Sequence, residues 1–167
     1  HKYLLDHYKE FDFIWSSPPC PTHSKVRVSQ KNQDFYIAQY PDMRLYEEIL
    51  FLQEHFRGKY VVENVIPYYN PLIEAQKRGR HLYWCNFLLP ISIDRKKSKG
   101  IISIAKDERR LLCELHEISN DFLNTYKGSQ SKVKILRNLV DYTVGKVILD
   151  TAMGIEKKMN IKQLSIV

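Results

Sequence analysis

Two short apolar runs with an amphipathic stretch between them constrain this chain more than any other feature. Residues 11–17, Phe-Asp-Phe-Ile-Trp-Ser-Ser, are stopped by Pro18 and Pro19, as expected of a buried strand that ends at its C-terminal edge. Residues 60–65, Tyr-Val-Val-Glu-Asn-Val, read as a second buried strand. Between them Asp42 can cap a helix over about 43–57, with Leu45, Ile49, Leu52 and Phe56 on one face and Gly58 at its end. Residues 11–65 therefore predict one β-α-β unit with a parallel strand pair, and so an α/β fold.

The segment joining the first strand to the helix, residues 21–41, is polar and basic, with His23, Lys25, Arg27 and Lys31. It is longer than a structural connection needs, which marks it as a candidate lid. Beyond the second strand, Asn70-Pro71 predicts a short helix fading near Gly79, and residues 81–87 a third strand. Residues 91–100 read as a basic turn carrying Arg95, Lys96, Lys97 and Lys99. A helix is expected over about 105–126, with Leu112, Leu115, Ile118 and Phe122 inward. Another is expected over about 139–153, with Val140, Val144, Val147 and Ile148 inward. The last residues form a basic tail.

At 167 residues the chain is long enough for one domain with a substantial core. No run approaches the roughly 18 apolar residues of a membrane span, and no secretory leader opens the sequence. The three cysteines, Cys20, Cys85 and Cys113, are widely spaced and lack zinc-site or disulfide-framework spacing, so neither metal nor disulfide is expected and a reducing cytoplasm fits best. The net charge of +7, from 26 Lys plus Arg against 19 Asp plus Glu, favours a polyanionic partner and a salt-dependent affinity for it.

Cys20 lies just past a strand end, the edge where open parallel sheets do their chemistry. A small residue in a tight turn is its ordinary explanation. Glu63 changes the balance, because an ionisable side chain inside Val61-Val62-Glu63-Asn64-Val65 is expensive to bury without a partner or a task. At adjacent ends of parallel strands, a nucleophile and a proton donor can face one pocket.

Ser17-Pro18-Pro19-Cys20 resembles the Pro-Cys motif of cytosine-C5 DNA methyltransferases, and Glu63-Asn64-Val65 resembles their Glu-Asn-Val motif. Asp42-Met43-Arg44-Leu45 is similar to the start of the helix between those motifs, and Gln76-Lys77-Arg78-Gly79-Arg80 to the Gln-x-Arg-x-Arg pattern that follows. Arg137-Asn138-Leu139-Val140 resembles the Gly-Asn-x-Val element opening the family's last helix. The motifs run in the family's order across residues 17–148.

The resemblance implies the C-terminal portion of a Rossmann-like, S-adenosylmethionine-dependent methyltransferase sheet with a small recognition region. It implies a partial catalytic domain over 1–90, a short target-recognition region over 91–130, a returning C-terminal helix over 131–155, and the tail 156–167. In this chemistry Cys20 adds to C6 of cytosine, so that C5 becomes nucleophilic enough to take the methyl group. An unperturbed thiol is only about 3% thiolate at pH 7, so ionisation alone can gain at most roughly thirtyfold. Glu63 would protonate N3, an effect of about 10²–10⁴-fold, which asks for a raised carboxyl pKa. The family implies that Arg80 reaches the base O2 and that Arg78 steadies the glutamate, the two sharing a face of one extended segment. Pro19, Asn64, Asn138 and Val140 would touch the cofactor. Ser24, Lys25, Arg27, Arg95, Lys96, Lys97 and Lys99 would meet double-stranded DNA, chiefly its phosphates. Because C6 is inaccessible in a stacked duplex, the base must flip out, with loop 21–41 closing over it.

The chain departs from the family's pattern in three places. Pro21 and Arg137 stand where Gln and Gly are usual, and no Phe-x-Gly-x-Gly loop precedes Cys20. The expectation is therefore an N-terminal half or companion subunit supplied separately, in a prokaryotic or phage setting, and a chain that cannot methylate alone. An RNA cytosine methyltransferase would use the same residues. An inactive DNA-binding companion subunit would explain the missing loop, and an exocyclic amino-methyltransferase is disfavoured by Cys20 in its aromatic position.

Overall fold

The computed structural model describes residues 2–29, 31, 32, 34, 36–91, 93 and 107–155, without the side chain of Arg27. The basic segment with Arg95, Lys96, Lys97 and Lys99, and the tail 156–167, lie outside the described residues. The described residues divide into two compact units, one from residues 2–91 with 150–155, the other from 93 with 107–149.

The first unit is a small mixed sheet with helices, an α/β arrangement. Helix α1 (Lys2–His7) and a 3-10 turn (Tyr8–Glu10) lead into β1 (Phe13–Ser16). A short α2 (Lys25–Ser29) and the longer α3 (Arg44–His55) follow, then β2 (Lys59–Val65), β3 (Gln76–Arg78) and β4 (His81–Cys85). Strand order is β1-β2-β4-β3. β1 runs parallel to β2, with Phe13 opposite Lys59 and Ser16 opposite Val62, so the expected β-α-β unit forms.

Helix α3 forms because its apolar residues return to one side every three or four positions. Leu45, Ile49, Leu52 and Phe56 are all buried, and they pack with Ile14, Tyr60, Val62, Leu82 and Trp84 in one core. Each such side chain contributes about 1.5–3 kcal/mol by leaving water. The expected Asp42 cap is displaced: Met43 occupies the N-cap position without a side-chain bond, and Asp42 precedes it, its Oδ1 accepting from the Arg44 backbone N–H at 3.2 Å. Gly58 has a different task from ending the helix, which stops at His55. A Cβ at Gly58 would lie 2.4 Å from the Asp12 carbonyl oxygen, at the point where Lys59 N–H donates to that same oxygen at 3.0 Å. Glycine lets the start of β2 reach the start of β1.

The helix expected after Asn70 does not form. Residues 70–75 are irregular and Gln76–Arg78 is a strand, antiparallel to β4 with Arg78 opposite His81. Gly79, at φ 56°, supplies the left-handed residue of the two-residue turn that closes this hairpin. Ladder bonds to β4 outweigh the helix-start signal of Asn70-Pro71. Within the expected loop 21–41, residues 25–29 form the one-turn α2.

The second unit holds α4 (Glu108–His116), α5 (Asn120–Asn124), α6 (Lys132–Asn138) and most of α7 (Tyr142–Ala152). The single helix expected over 105–126 is broken in two. Glu117 adopts φ 56°, and the Ser119 hydroxyl then accepts from Phe122 N–H at 3.1 Å, capping a new helix. The break turns Phe122 outward, at 67% exposure, and buries Leu123 with Leu112, Cys113 and Leu136. Helix α6 opens the region 131–155 that was expected as a C-terminal helix, and it is capped by Ser131. The helix expected from about 139 begins at Tyr142 instead, because Asp141 Oδ1 accepts from Thr143 N–H at 2.9 Å. Val140 is therefore an exposed residue before the helix, whereas Val144 and Ile148 are buried. Arg137, in place of the family's glycine, makes a two-pronged pair with Glu108, both contacts at 2.7 Å. No described helix is long and apolar enough to cross a membrane.

Candidate active site

The candidate site forms where β1 and β2 end side by side. After Ser16, Pro18 and Pro19 cannot donate to a ladder, so the chain leaves the sheet and turns at Cys20. The Cys20 carbonyl accepts from His23 N–H at 3.0 Å and Ser24 N–H at 3.1 Å, which closes a tight turn. Two further bonds fix this turn to its surroundings. Tyr68 N–H donates to the His23 carbonyl at 3.1 Å, and Asp42 N–H donates to the Thr22 hydroxyl at 3.0 Å.

Asn64 joins the two motifs directly. It is buried at the end of β2, and its Nδ2 donates to the Pro18 carbonyl at 3.0 Å, while its Oδ1 accepts from Val65 N–H. The segment before Cys20 and the Glu63-Asn64-Val65 strand end are thus one hydrogen-bonded assembly.

Glu63 is largely buried, with 13% of its side chain exposed, and its Oε1 lies 3.3 Å from His81 Nε2. Cys20 is half-buried. Burial pushes its thiol above the ordinary range, a backbone hydrogen bond partly offsets this, and the Glu63 charge adds the smallest contribution, also upward. The electrostatic effect of Glu63 on Cys20 places the two groups in each other's field. It also means that Cys20 is held as a thiol at neutral pH.

The arginines are placed differently from the expectation. Arg78 donates from Nη2 to the Leu89 carbonyl at 2.7 Å and from Nη1 to the Lys77 carbonyl at 2.8 Å, and its Nε donates to the Pro90 carbonyl. Gln76 holds the same segment, donating to Phe87 O at 2.7 Å and accepting from Leu89 N–H at 2.8 Å. Arg78 therefore braces residues 87–90, and the side chain recorded beside Glu63 is His81. Arg80 sits exposed in the hairpin turn. Because Gly79 reverses the chain, Arg78 and Arg80 are not two positions on one extended face.

Among the expected nucleic-acid contacts, the Ser24 hydroxyl accepts from Val26 N–H at 3.3 Å at the start of α2, and Lys25 is exposed on that helix with Arg27 two residues on. Asn138 and Val140 lie exposed in the second unit.

Beside Pro18 and Pro19 opens a pocket of about 340 Å³, walled also by Ser16 and Leu45. His23, Glu48 and the Asp42–Arg44 pair supply its polar lining. Two buried polar atoms in this lining make no hydrogen bond among the described residues, His23 Nε2 and Glu48 Oε1. The other His23 nitrogen, Nδ1, is 2.6 Å from the Tyr69 hydroxyl, which in turn is 3.4 Å from the Tyr46 hydroxyl. Sequence reasoning counted His23 as a basic loop residue and passed over Glu48. A signal for Glu48 existed: it lies three residues after Leu45 and four before Leu52, inside the buried stripe of α3.

No family model, curated protein or solved structure matches the chain.

Proposed function

We propose that this chain carries the catalytic Pro-Cys and Glu-Asn-Val elements of a cytosine-C5 methyltransferase acting on double-stranded DNA. The observation that carries the reading is the buried Asn64 side chain donating to the Pro18 carbonyl, which ties the segment before Cys20 to the Glu63-Asn64-Val65 end of the neighbouring parallel strand. In this reading β1-α3-β2 is the C-terminal portion of a Rossmann-like methyltransferase sheet.

The Cys20 thiol loses its proton and the thiolate adds to C6 of an extruded cytosine. Electron density moves through the ring to N3, which takes a proton from the Glu63 carboxyl, with His81 alongside to resupply it. S-adenosylmethionine, when bound, would supply the methyl group, and the part of Cys20 is to make C5 nucleophilic enough to take it. Loss of the C5 proton to solvent expels the Cys20 thiolate, and return of the N3 proton to the Glu63 carboxylate restores the neutral aromatic ring. Protonation of Glu63 removes a charge that raises the Cys20 thiol, so the form of Glu63 that can donate to N3 is also the form that eases ionisation of Cys20.

The pocket beside Pro18 and Pro19 suits part of the cofactor, since its apolar walls adjoin polar side chains, among them His23, Asp42 and Glu48. Lys25 and Arg27 on α2, with Ser24 at its start, would meet the phosphates flanking the flipped base. β1 is paired on one side only among the described residues. An N-terminal cofactor-binding half, or a companion subunit, would cover that edge.

The test uses duplex DNA carrying 5-fluorocytosine, in which C5 holds no proton to lose and the thioether persists. With S-adenosylmethionine and the N-terminal partner supplied, peptide mapping should find the adduct on Cys20, and Cys20→Ala should give none. Equal adduct in Cys20→Ala contradicts the assignment. Methylation of transfer RNA in preference to duplex DNA would instead select the RNA enzyme.

A further inference from the structure

His23 joins the Cys20 turn to the segment after β2 through both its backbone and its ring. Its N–H donates to the Cys20 carbonyl at 3.0 Å, and its own carbonyl accepts from Tyr68 N–H at 3.1 Å. Ser24 and Pro67 form an antiparallel bridge beside it. The imidazole adds a further link, with Nδ1 2.6 Å from the Tyr69 hydroxyl. The direction of that bond follows from the chain behind it. Leu72 N–H, which can only donate, gives its hydrogen to the Tyr46 hydroxyl at 3.2 Å. Tyr46 donates to the Tyr69 hydroxyl at 3.4 Å, so the Tyr69 hydrogen is left for His23 Nδ1. Burial, the largest influence on each partner, pushes the Tyr69 hydroxyl up and the His23 imidazole down, while the charge and backbone of Asp42 raise the imidazole by less. A protonated hydroxyl thus faces a neutral ring. His23 is 1% exposed, and Tyr46 belongs to the core of α3, where it meets Trp84 edge-on. The relay therefore ends on the rigid part of the first unit.

We propose that His23 is a positioning residue for Cys20: its ring, held through Tyr69 and Tyr46 to α3, fixes the turn over residues 20–24 against the end of β2 and so aims the thiol. Cys20 sits on a turn outside the sheet, where no strand ladder holds it. The Asn64 bond to the Pro18 carbonyl fixes the chain before it, and the His23 relay fixes the chain after it. Such bracketing matters for a nucleophile, because a misplacement of about 1 Å can cost on the order of 10²-fold in rate. The proposal rests on the methyltransferase reading only for the reaction that the thiol performs.

The experiment follows, in the full chain, exchange of the cytosine C5 hydrogen of duplex DNA for solvent deuterium and, separately, iodoacetamide alkylation of each cysteine peptide. Tyr69→Phe removes a single oxygen. It should lower the maximal exchange rate by about tenfold or more and leave the half-saturating DNA concentration nearly unchanged, because the aim of the nucleophile enters the chemical step rather than DNA binding. His23→Asn keeps an acceptor near the place of Nδ1 and should retain most of the native rate, whereas His23→Gln carries its amide nearer the place of Nε2 and should fall to the Tyr69→Phe level. Combining His23→Gln with Tyr69→Phe should cost no more than either alone, as expected of two groups that act through one bond. Alkylation of the half-buried Cys20 should quicken by roughly threefold or more in Tyr69→Phe while Cys85 and the buried Cys113 keep their rates, which separates a loosened turn from a general loss of stability. Additive losses, equal rates in His23→Asn and His23→Gln, a weaker DNA affinity at constant maximal rate, or unchanged alkylation of Cys20 overturns the proposal. Neither assay uses a methyl donor, so the pocket that His23 also lines does not enter. Absence of exchange in the native chain, with Cys20 alkylation responding as stated, would remove the cytosine reading and leave the positioning role supported.

Discussion

Cys20 and Glu63 influence each other before any substrate arrives, and that influence has a measurable sign. The thiol is raised first by burial and then by the Glu63 charge, so removing the charge must lower it. Following alkylation of the Cys20 peptide against pH, the half-rise should lie above the ordinary thiol range in the native chain and move to lower pH in Glu63→Gln. A profile that stays in place would show that the carboxylate is too distant to act as proposed. The thiols of Cys85 and Cys113 give separate peptides and serve as internal references. His81 was not legible as a partner of Glu63, since the sequence offered Arg78 and Arg80 and gave no sign that the hairpin would turn between them. The left-handed Gly79 decides that outcome, and Gly79 is visible in the sequence only as a possible stop.

Helix α3 contributes Arg44, Leu45 and Glu48 to the pocket, and its start carries the fork between Asp42 and Arg44. Oδ1 and Oδ2 of Asp42 accept from Arg44 Nε at 2.8 and 3.0 Å, and the Arg44 bonds hold the Asp42 carboxyl down at about 2. A carboxyl depressed in the folded state stabilises fully above its unfolded value near 3.9, and loses that contribution as pH falls toward about 2. Acid unfolding should therefore show a stability decline between about pH 4 and pH 2 that is shallower in Asp42→Asn. An identical slope would mean that the fork is too exposed and solvent-screened to count. The element itself was plain from the sequence, because Leu45, Ile49, Leu52 and Phe56 keep helical spacing and Asp42 is a natural cap. The hairpin of β3 and β4 was hidden by the Asn70-Pro71 signal. The break between α4 and α5 was hidden by an apolar period that continues through Phe122, although Ser119 carries the chemistry of a cap. Local capping overrode periodicity there. The polar lining of the pocket is less legible still, since His23 and Glu48 line one pocket from segments 25 residues apart in the sequence.

Across the whole molecule, a parallel strand pair readable from its apolar runs carries a proposed catalytic role that rests on Cys20 acting as a nucleophile toward cytosine. Addition to C6 leaves a detectable trace even without methyl transfer, because the adduct can take a solvent hydron at C5 and then release the base. Incubating the chain with cytosine-containing duplex DNA in deuterated buffer therefore tests the central claim without a methyl donor. Mass analysis of the recovered nucleosides should show deuterium at C5 of cytosine with the native chain. The rate should be about 10²-fold or more lower in Glu63→Gln, the loss expected of a general acid, and exchange should be absent in Cys20→Ala. Exchange at an equal rate in Cys20→Ala, or none with the native chain under conditions where it binds the DNA, would contradict the account.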